Sequence, residues 1–250
     1  MTEKRELQSY LSFSLKDEAM WRDFYQVGNE MIITKNGRCL FPLLRFLVDL
    51  NKEAEEGLLE EMFYVSIVMQ PLDNGRWKYV GGKWRTMGST CELSDKNDRY
   101  LKSVQAVGSP MTLGNLISRE LSFAKLKLTN SQTKAHETNH ILMSSFRYYQ
   151  PNIIIQRVTG DKRRADEMVG RWPVPQAEFI AVTHYQNPRI CDMKKSFNPH
   201  AKGFLNASSE LSAEGSSESE SQQIDKVVLD GKDYTAVFLL NSLKNKLLGK

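Results

Sequence analysis

Met62-Phe-Tyr-Val-Ser-Ile-Val-Met69 and Asn152-Ile-Ile-Ile-Gln-Arg-Val158 decide how the chain folds. Both runs are short, and both are built from β-branched and aromatic residues that fit a pleated, half-buried surface. Working outward, Met31-Ile-Ile-Thr34, Trp77-Lys-Tyr-Val80, the run from Leu121 to Leu128, His140-Ile-Leu-Met143 and Glu178-Phe-Ile-Ala-Val-Thr183 have the same character. Turn residues separate them: Asn36-Gly37, Asp73-Asn74-Gly75, Gly81-Gly82 and Gly160-Asp161. Many short strands without long intervening helices predict an all-β fold, an antiparallel sandwich or barrel rather than an α/β architecture.

The 250 residues divide into zones. Residues 1–19 are polar and mixed, and residues 20–205 carry the aromatic and apolar runs. Residues 206–223 are rich in Ser and Glu, hold Glu210, Glu214, Glu218 and Glu220, and contain no Lys or Arg. Such a composition cannot bury enough apolar surface to offset its ordering entropy. Residues 224–250 form a tail in which Val237, Leu240, Leu243, Leu247 and Leu248 make an amphipathic stripe, a third helix candidate. The tail helix packs on the domain, engages a partner groove, or is only partly ordered; the pattern does not choose among these.

Charge is unevenly spread. The whole chain has 34 Lys+Arg against 30 Asp+Glu, but residues 115–205 hold 14 against 7. A basic field of that kind raises the local concentration of polyanions. No run reaches the ~18 apolar residues that a membrane span needs, and the charged start, Met1-Thr2-Glu3-Lys4-Arg5-Glu6, is unlike a secretory signal. Cys39, Cys91 and Cys191 are odd in number and far apart, which predicts neither a disulfide framework nor a structural zinc site, and points to a reducing compartment.

Two stretches near the end of the central zone read as helices. Asn187-Pro188 precedes Arg-Ile-Cys-Asp-Met-Lys-Lys195, and Asn198-Pro199 precedes His-Ala-Lys-Gly-Phe204. Asn is a favourable N-cap, and Pro in the first helical position gives up a hydrogen bond it would not have made.

Catalytic signals are weak. His136-Glu137-Thr138-Asn139-His140 fits the HExxH pattern, which on a helix sets two imidazoles on one face for zinc. Here Thr, Asn and Ser surround it, a strand follows it, and no third ligand stands at helical spacing, so a polar loop entering a strand is the better reading. The chain has no GxSxG and no phosphate-cradling glycine loop, and Glu55-Glu56 and Glu60-Glu61 read as solvated surface. No cofactor is expected, and the chain does not read as an enzyme. Gly37-Arg38-Cys39-Leu40-Phe41-Pro42 is more suggestive. An Arg shown at a tight turn matches guanine O6 and N7 in two prongs, although from these six residues alone a surface arginine at a hairpin tip is the better reading.

The motifs taken together resemble the T-box family of DNA-binding domains. Trp21-Arg-Asp-Phe24 and Gly28-Asn-Glu-Met-Ile-Ile-Thr-Lys-Asn-Gly-Arg-Cys-Leu-Phe-Pro42 look like its opening signature. Leu121-Ser-Phe-Ala-Lys-Leu-Lys-Leu-Thr-Asn130, His140-Ile-Leu-Met-Ser-Ser-Phe-Arg-Tyr-Tyr-Gln-Pro151, Glu178-Phe-Ile-Ala-Val-Thr-His-Tyr-Gln-Asn187 and Asn198-Pro-His-Ala-Lys-Gly-Phe204 follow in the family's order. The resemblance covers about residues 20–205. It implies an immunoglobulin-like antiparallel β-sandwich with short C-terminal helices, in a nuclear, sequence-specific factor that binds duplex DNA with a GGTGTGA-like core and regulates RNA polymerase II transcription. It implies Arg38 by the major groove, with Lys35 beside it. Thr183, Tyr185, Gln186, Asn187 and Lys194 are expected near the phosphates and the groove. A last short helix bearing Asn198, Pro199, His200, Lys202 and Phe204 is expected in the minor groove, where an aromatic wedge parts a base step and Lys202 offsets phosphate charge.

Departures mark a divergent member. Cys39 stands where the family usually has a second arginine, His200 replaces the first wedge phenylalanine, and Asn152 stands where arginine is common. These losses motivate an alternative, a sandwich that serves as a protein-interaction module with weakened DNA binding. Pairing of two copies on a palindromic site, and a co-regulator held by the tail, are left open.

Overall fold

A computed structural model of the chain describes residues 6–52, 56–89, 101–159, 167–197, 228–229 and 232–233. The strands, in chain order, are β1 (Leu11–Leu15), β2 (Glu30–Ile32), β3 (Arg38–Cys39), β4 (Arg45–Leu50), β5 (Met62–Pro71), β6 (Gly75–Val80), β7 (Lys83–Ser89), β8 (Val104–Gln105), β9 (Met111–Thr112), β10 (Leu121–Ser122), β11 (Lys127–Thr129), β12 (His140–Leu142), β13 (Tyr148–Arg157), β14 (Glu167–Pro173) and β15 (Phe179–Val182). The helices are short: α1 (Glu6–Tyr10), α2 (Glu18–Val27), α3 (Glu56–Leu59), α4 (Leu113–Ser118) and α5 (Pro188–Phe197). Phe204–Lys250 form a separate unit, of which Val228–Leu229 pairs antiparallel with Lys232–Asp233.

The two runs quoted first are the centre of the main sheet. β5 and β13 pair antiparallel from Tyr149↔Pro71 to Arg157↔Phe63. The sheet runs β2-β15-β13-β5-β8, with β14 on β13 and β9 on β5. Two three-stranded sheets, β1-β4-β10 and β12-β11-β3, complete the sandwich, and β6 and β7 form a hairpin. Phe46, Phe63, Ile67, Leu121, Leu128, Ile153 and Phe179 are among the core residues buried almost completely. Each such side chain contributes on the order of 1.5–3 kcal/mol of transfer free energy. The expected all-β class stands, with mostly antiparallel pairing and two exceptions: β2 runs parallel to β15, and β11 runs parallel to β12.

Three features differ from the sequence reading. The single strand expected over Leu121–Leu128 is two strands in different sheets, β10 on β4 and β11 between β12 and β3. The Leu126 amide donates to the Phe123 carbonyl at 3.0 Å and the Ala124 amide to Ser122 Oγ at 3.3 Å, so a turn divides the run. Phe123 and Leu126 are both buried, and their spacing of three breaks the strand alternation. Second, the polar zone 1–19 contains β1, which pairs along β4 with Leu11 and Leu15 buried. Third, α2 precedes the first expected strand. Trp21 and Phe24, three residues apart, lie on its buried face, and Gly28 ends it in the left-handed region at φ 86°. The helix expected after Asn187 is α5; the one expected over 198–204, the acidic run 206–223 and the tail stripe 237–248 lie outside the described residues.

Register fixes which loops meet. β13 begins where β5 ends, with Tyr149 opposite Pro71, and its first residue Tyr148 stands opposite Ile180, so β15 runs on past it to Val182. β2 runs with β15, so Ile32 and Val182 finish side by side. The segments 33–38, 72–89, 143–147 and 183–187 therefore leave the sheet at one end. Backbone hydrogen bonds join them: Ile33 N–H to Val182 O at 2.8 Å, Phe146 N–H to Ala181 O at 2.7 Å, and Trp77 N–H to Phe146 O at 2.8 Å.

Candidate nucleic-acid interface

The turn that shows Arg38 is tightly built. Gly37 closes it with an N–H bond to Thr34 O at 3.2 Å and sits at φ 79°. A Cβ there would lie 2.3 Å from His140 Nε2, so both conformation and space require glycine. Thr129 Oγ1 donates to Thr34 O at 2.9 Å and to Lys35 O at 3.2 Å, clipping the turn to β11. Lys35, Arg38 and Cys39 are exposed, and the register sets Lys127 opposite Cys39. Lys125 is exposed in the neighbouring turn. The reading from sequence missed Lys125 and Lys127 as interface candidates, because both lie in a run read as one strand; two Lys at alternate positions were the available signal.

His140 is buried behind this turn, with Nε2 3.3 Å from Asn36 O. Glu137 lies 2.6 Å from Lys134 Nζ and 3.2 Å from His140 Nδ1, and the Lys134 hydrogen bond holds its carboxyl below the usual range. The HExxH residues thus serve a short turn, Lys134–His136, followed by β12.

Arg38 and Tyr185 line one groove of about 530 Å³, together with Asp17, Met20, Cys39 and Phe41. Burial pushes the Tyr185 phenol up to about 12, and the positive charge of Arg38 opposes that shift. Thr183 is exposed, with Oγ1 3.3 Å from His184 Nδ1. Gln186 is half-buried and its side-chain amide donates to His184 O at 3.1 Å.

Glu30, fully buried on β2, organises this loop. Its Oε2 accepts the Gln186 amide at 2.8 Å, and its Oε1 accepts the Asn187 amide at 3.0 Å and Trp84 Nε1 at 3.1 Å. Burial raises its carboxyl pKa, while the amides, the indole and Lys194 work against that rise.

Two expected contact residues turn inward. Asn187 is buried: its Oδ1 accepts from the Arg189 amide at 3.1 Å, capping α5, and its Nδ2 donates to Val27 O at 3.0 Å. Lys194 is 4% exposed. It shares the buried face of α5 with Ile190 and Met193, a spacing that points the side chain into the domain. Its ammonium donates to Asn29 Oδ1 at 3.1 Å and to the Phe41 carbonyl, and lies 4.5 Å from the centre of the Phe24 ring. It supports the chain just beyond Arg38 from behind and is not available to a phosphate. Asn152, also buried, accepts from Arg171 Nε at 3.0 Å between strands β13 and β14. Asn198, Pro199, His200, Lys202 and Phe204 lie outside the described residues.

The chain matches the T-box family over residues 13–206. It is 36% identical over 203 residues to the T-related protein of Drosophila melanogaster, covering 81% of this chain and 26% of that protein. It is 37% identical over 201 residues to the T-box transcription factor TBX19 of Homo sapiens, covering 80% and 41%. Against the T-box transcription factor T of Xenopus laevis it is 37% identical over 198 residues, covering 79% and 41%. The chain spans 26% of the Drosophila relative and 54% of T-box protein 12 of Caenorhabditis elegans, so the curated relatives are the longer proteins.

Proposed function

This chain belongs to the T-box family, and on that footing we propose that it is a nuclear transcription regulator that binds duplex DNA sequence-specifically and acts on genes read by RNA polymerase II. The observation that carries the reading is the meeting, at one end of the sandwich, of the exposed Arg38 turn with the 183–187 loop across a shared groove. Arg38 reads a guanine edge in the major groove, where its planar fork matches O6 and N7. Lys35, with Lys125 and Lys127 nearby, offsets backbone phosphates. Thr183, Tyr185 and Gln186 set the register against the sugar–phosphate chain. The residues Asn198, Pro199, His200, Lys202 and Phe204 supply the minor-groove insertion, with Phe204 as the wedge.

Titrating the chain against a labelled duplex carrying a GGTGTGA core, and against a scrambled duplex of equal length, tests the reading. The core duplex is expected to bind at least ~10³-fold tighter at physiological salt. Affinity for both should fall as salt rises. Equal affinity for the two sequences contradicts specific binding, and no salt-sensitive affinity for either contradicts DNA binding altogether.

A further inference from the structure

We propose that the β6–β7 hairpin is a second DNA-contacting surface, laying Lys78, Lys83 and Arg85 along duplex phosphates that flank the core element. This rests on the DNA-binding reading above and extends it beyond the Arg38 groove.

The hairpin residues, 75–89, contain Arg76, Lys78, Lys83 and Arg85 and no acidic residue. All four cations are exposed. Among the described residues none of them has a carboxylate at ion-pair distance. Lys78 stands directly opposite Arg85, and Val80 opposite Lys83, so the three cations crowd one face of the ribbon. Like charges set directly across a strand pair work against folding. A face that keeps them fits a polyanion.

The other face fixes where this ribbon points. Trp77 Nε1 donates to Asp73 Oδ2 at 2.9 Å, and the Trp77 ring packs on Tyr148 with centroids 5.4 Å apart. Tyr79 and Trp84, paired across the hairpin, meet edge to face at 5.6 Å. Arg76, beside the register shift between Gly75 and Trp77, lies over the Phe146 ring at 5.6 Å and belongs to neither set. Trp84 Nε1 donates to Glu30, the same carboxylate that holds the Gln186 and Asn187 amides. One buried group therefore fixes both the hairpin and the loop carrying Tyr185, at the same end of the sheet.

The occupant follows from that placement. A duplex seated on the Arg38 groove continues past the loops, and six extended residues span about 20 Å. At roughly one phosphate charge per 1.7 Å of helix axis, that length faces several phosphates. These contacts add affinity and salt dependence but no sequence information.

The test compares the whole chain with its Lys78→Gln/Lys83→Gln/Arg85→Gln variant on two duplexes, one limited to the core element and one extended by about one helical turn on each side. On the extended duplex the variant should lose on the order of tenfold in affinity, and its log–log salt slope should fall by about 2–3, near 0.9 per phosphate contact. On the short duplex the two proteins should bind alike. A thermal midpoint unchanged or raised in the variant, as relief of the Lys78–Arg85 repulsion predicts, separates lost contact from lost fold. Unchanged binding of the extended duplex overturns the proposal, and an equal loss on both lengths overturns the flanking placement. Failure of the unaltered chain to bind either duplex overturns the DNA-binding reading itself, and this proposal with it.

Discussion

Glu30 and Gln186, 156 residues apart in sequence, are joined by a 2.8 Å hydrogen bond from the Gln186 backbone amide to the buried Glu30 carboxylate. The other carboxylate oxygen takes the Asn187 amide at 3.0 Å. A loop that sets the half-buried Tyr185 into the groove shared with Arg38 is thus held from inside the sheet by one charged group.

Replacing Glu30 with Gln puts an amide NH₂ where two backbone donors converge, and one of them loses its partner. An unpaired buried donor costs about 1–3 kcal/mol. Urea denaturation should show that loss. Amide exchange should speed up at Gln186 and Asn187 more than in β5 and β13. Protection unchanged at both amides would falsify the role given to Glu30.

Lys194 gives stability a pH signature. Burial pushes it down to about 7, with Glu30 opposing the shift and Arg38 adding to it. An unfolded lysine titrates near 10.4. Between those values the unfolded chain carries a proton that the folded chain lacks, so this residue makes stability rise with pH. Below about 7 both states are charged and the burial penalty is complete. Denaturation across that window should show a positive slope, and Lys194→Met should lose it. An equal slope in the variant is incompatible with a titrating lysine inside the domain.

Asn187→Ala removes the cap of α5 and leaves Val27 O unpaired, at a cost of about 1–2 kcal/mol. Base preference should be unchanged, because the side chain faces inward. Altered preference at a single base, with stability intact, would return Asn187 to the surface.

Arg38 and Lys35 separate readout from attraction. Both are exposed, so substitution by Ala should leave the melting temperature within about a degree or two. Arg38→Ala should cost about 1–3 kcal/mol of binding and relax one base position. Lys35→Ala should weaken all sequences alike and reduce the salt slope by about 0.9. If Arg38→Ala instead weakens every sequence equally, Arg38 contacts a phosphate.

Much of this architecture is legible in the sequence, because strand runs such as Met62–Met69 and Asn152–Val158 are locally decisive and their turns are marked by Asn-Gly and Gly-Gly pairs. The Asn187-Pro188 start of α5 is equally plain, since cap and first-turn chemistry are local. What escaped depends on distant partners. Nothing near Phe123 says that β10 and β11 join different sheets, because that is decided by β4, β12 and β3. Nor does Lys194 announce that it points inward: its partners are Asn29, Phe41 and Phe24, more than 150 residues away. A resemblance transfers a position along the chain, whereas the direction of a side chain is set by helix phase and packing.

Selection of bound duplexes from a random pool, run in parallel with the unaltered chain and with Arg38→Ala, tests the central claim most directly. The unaltered chain should enrich one motif related to GGTGTGA, and the variant should enrich the same motif with information lost at a single guanine position. A pool that stays random with the unaltered chain, at salt low enough to favour phosphate contacts, contradicts the claim that this end of the sandwich reads DNA.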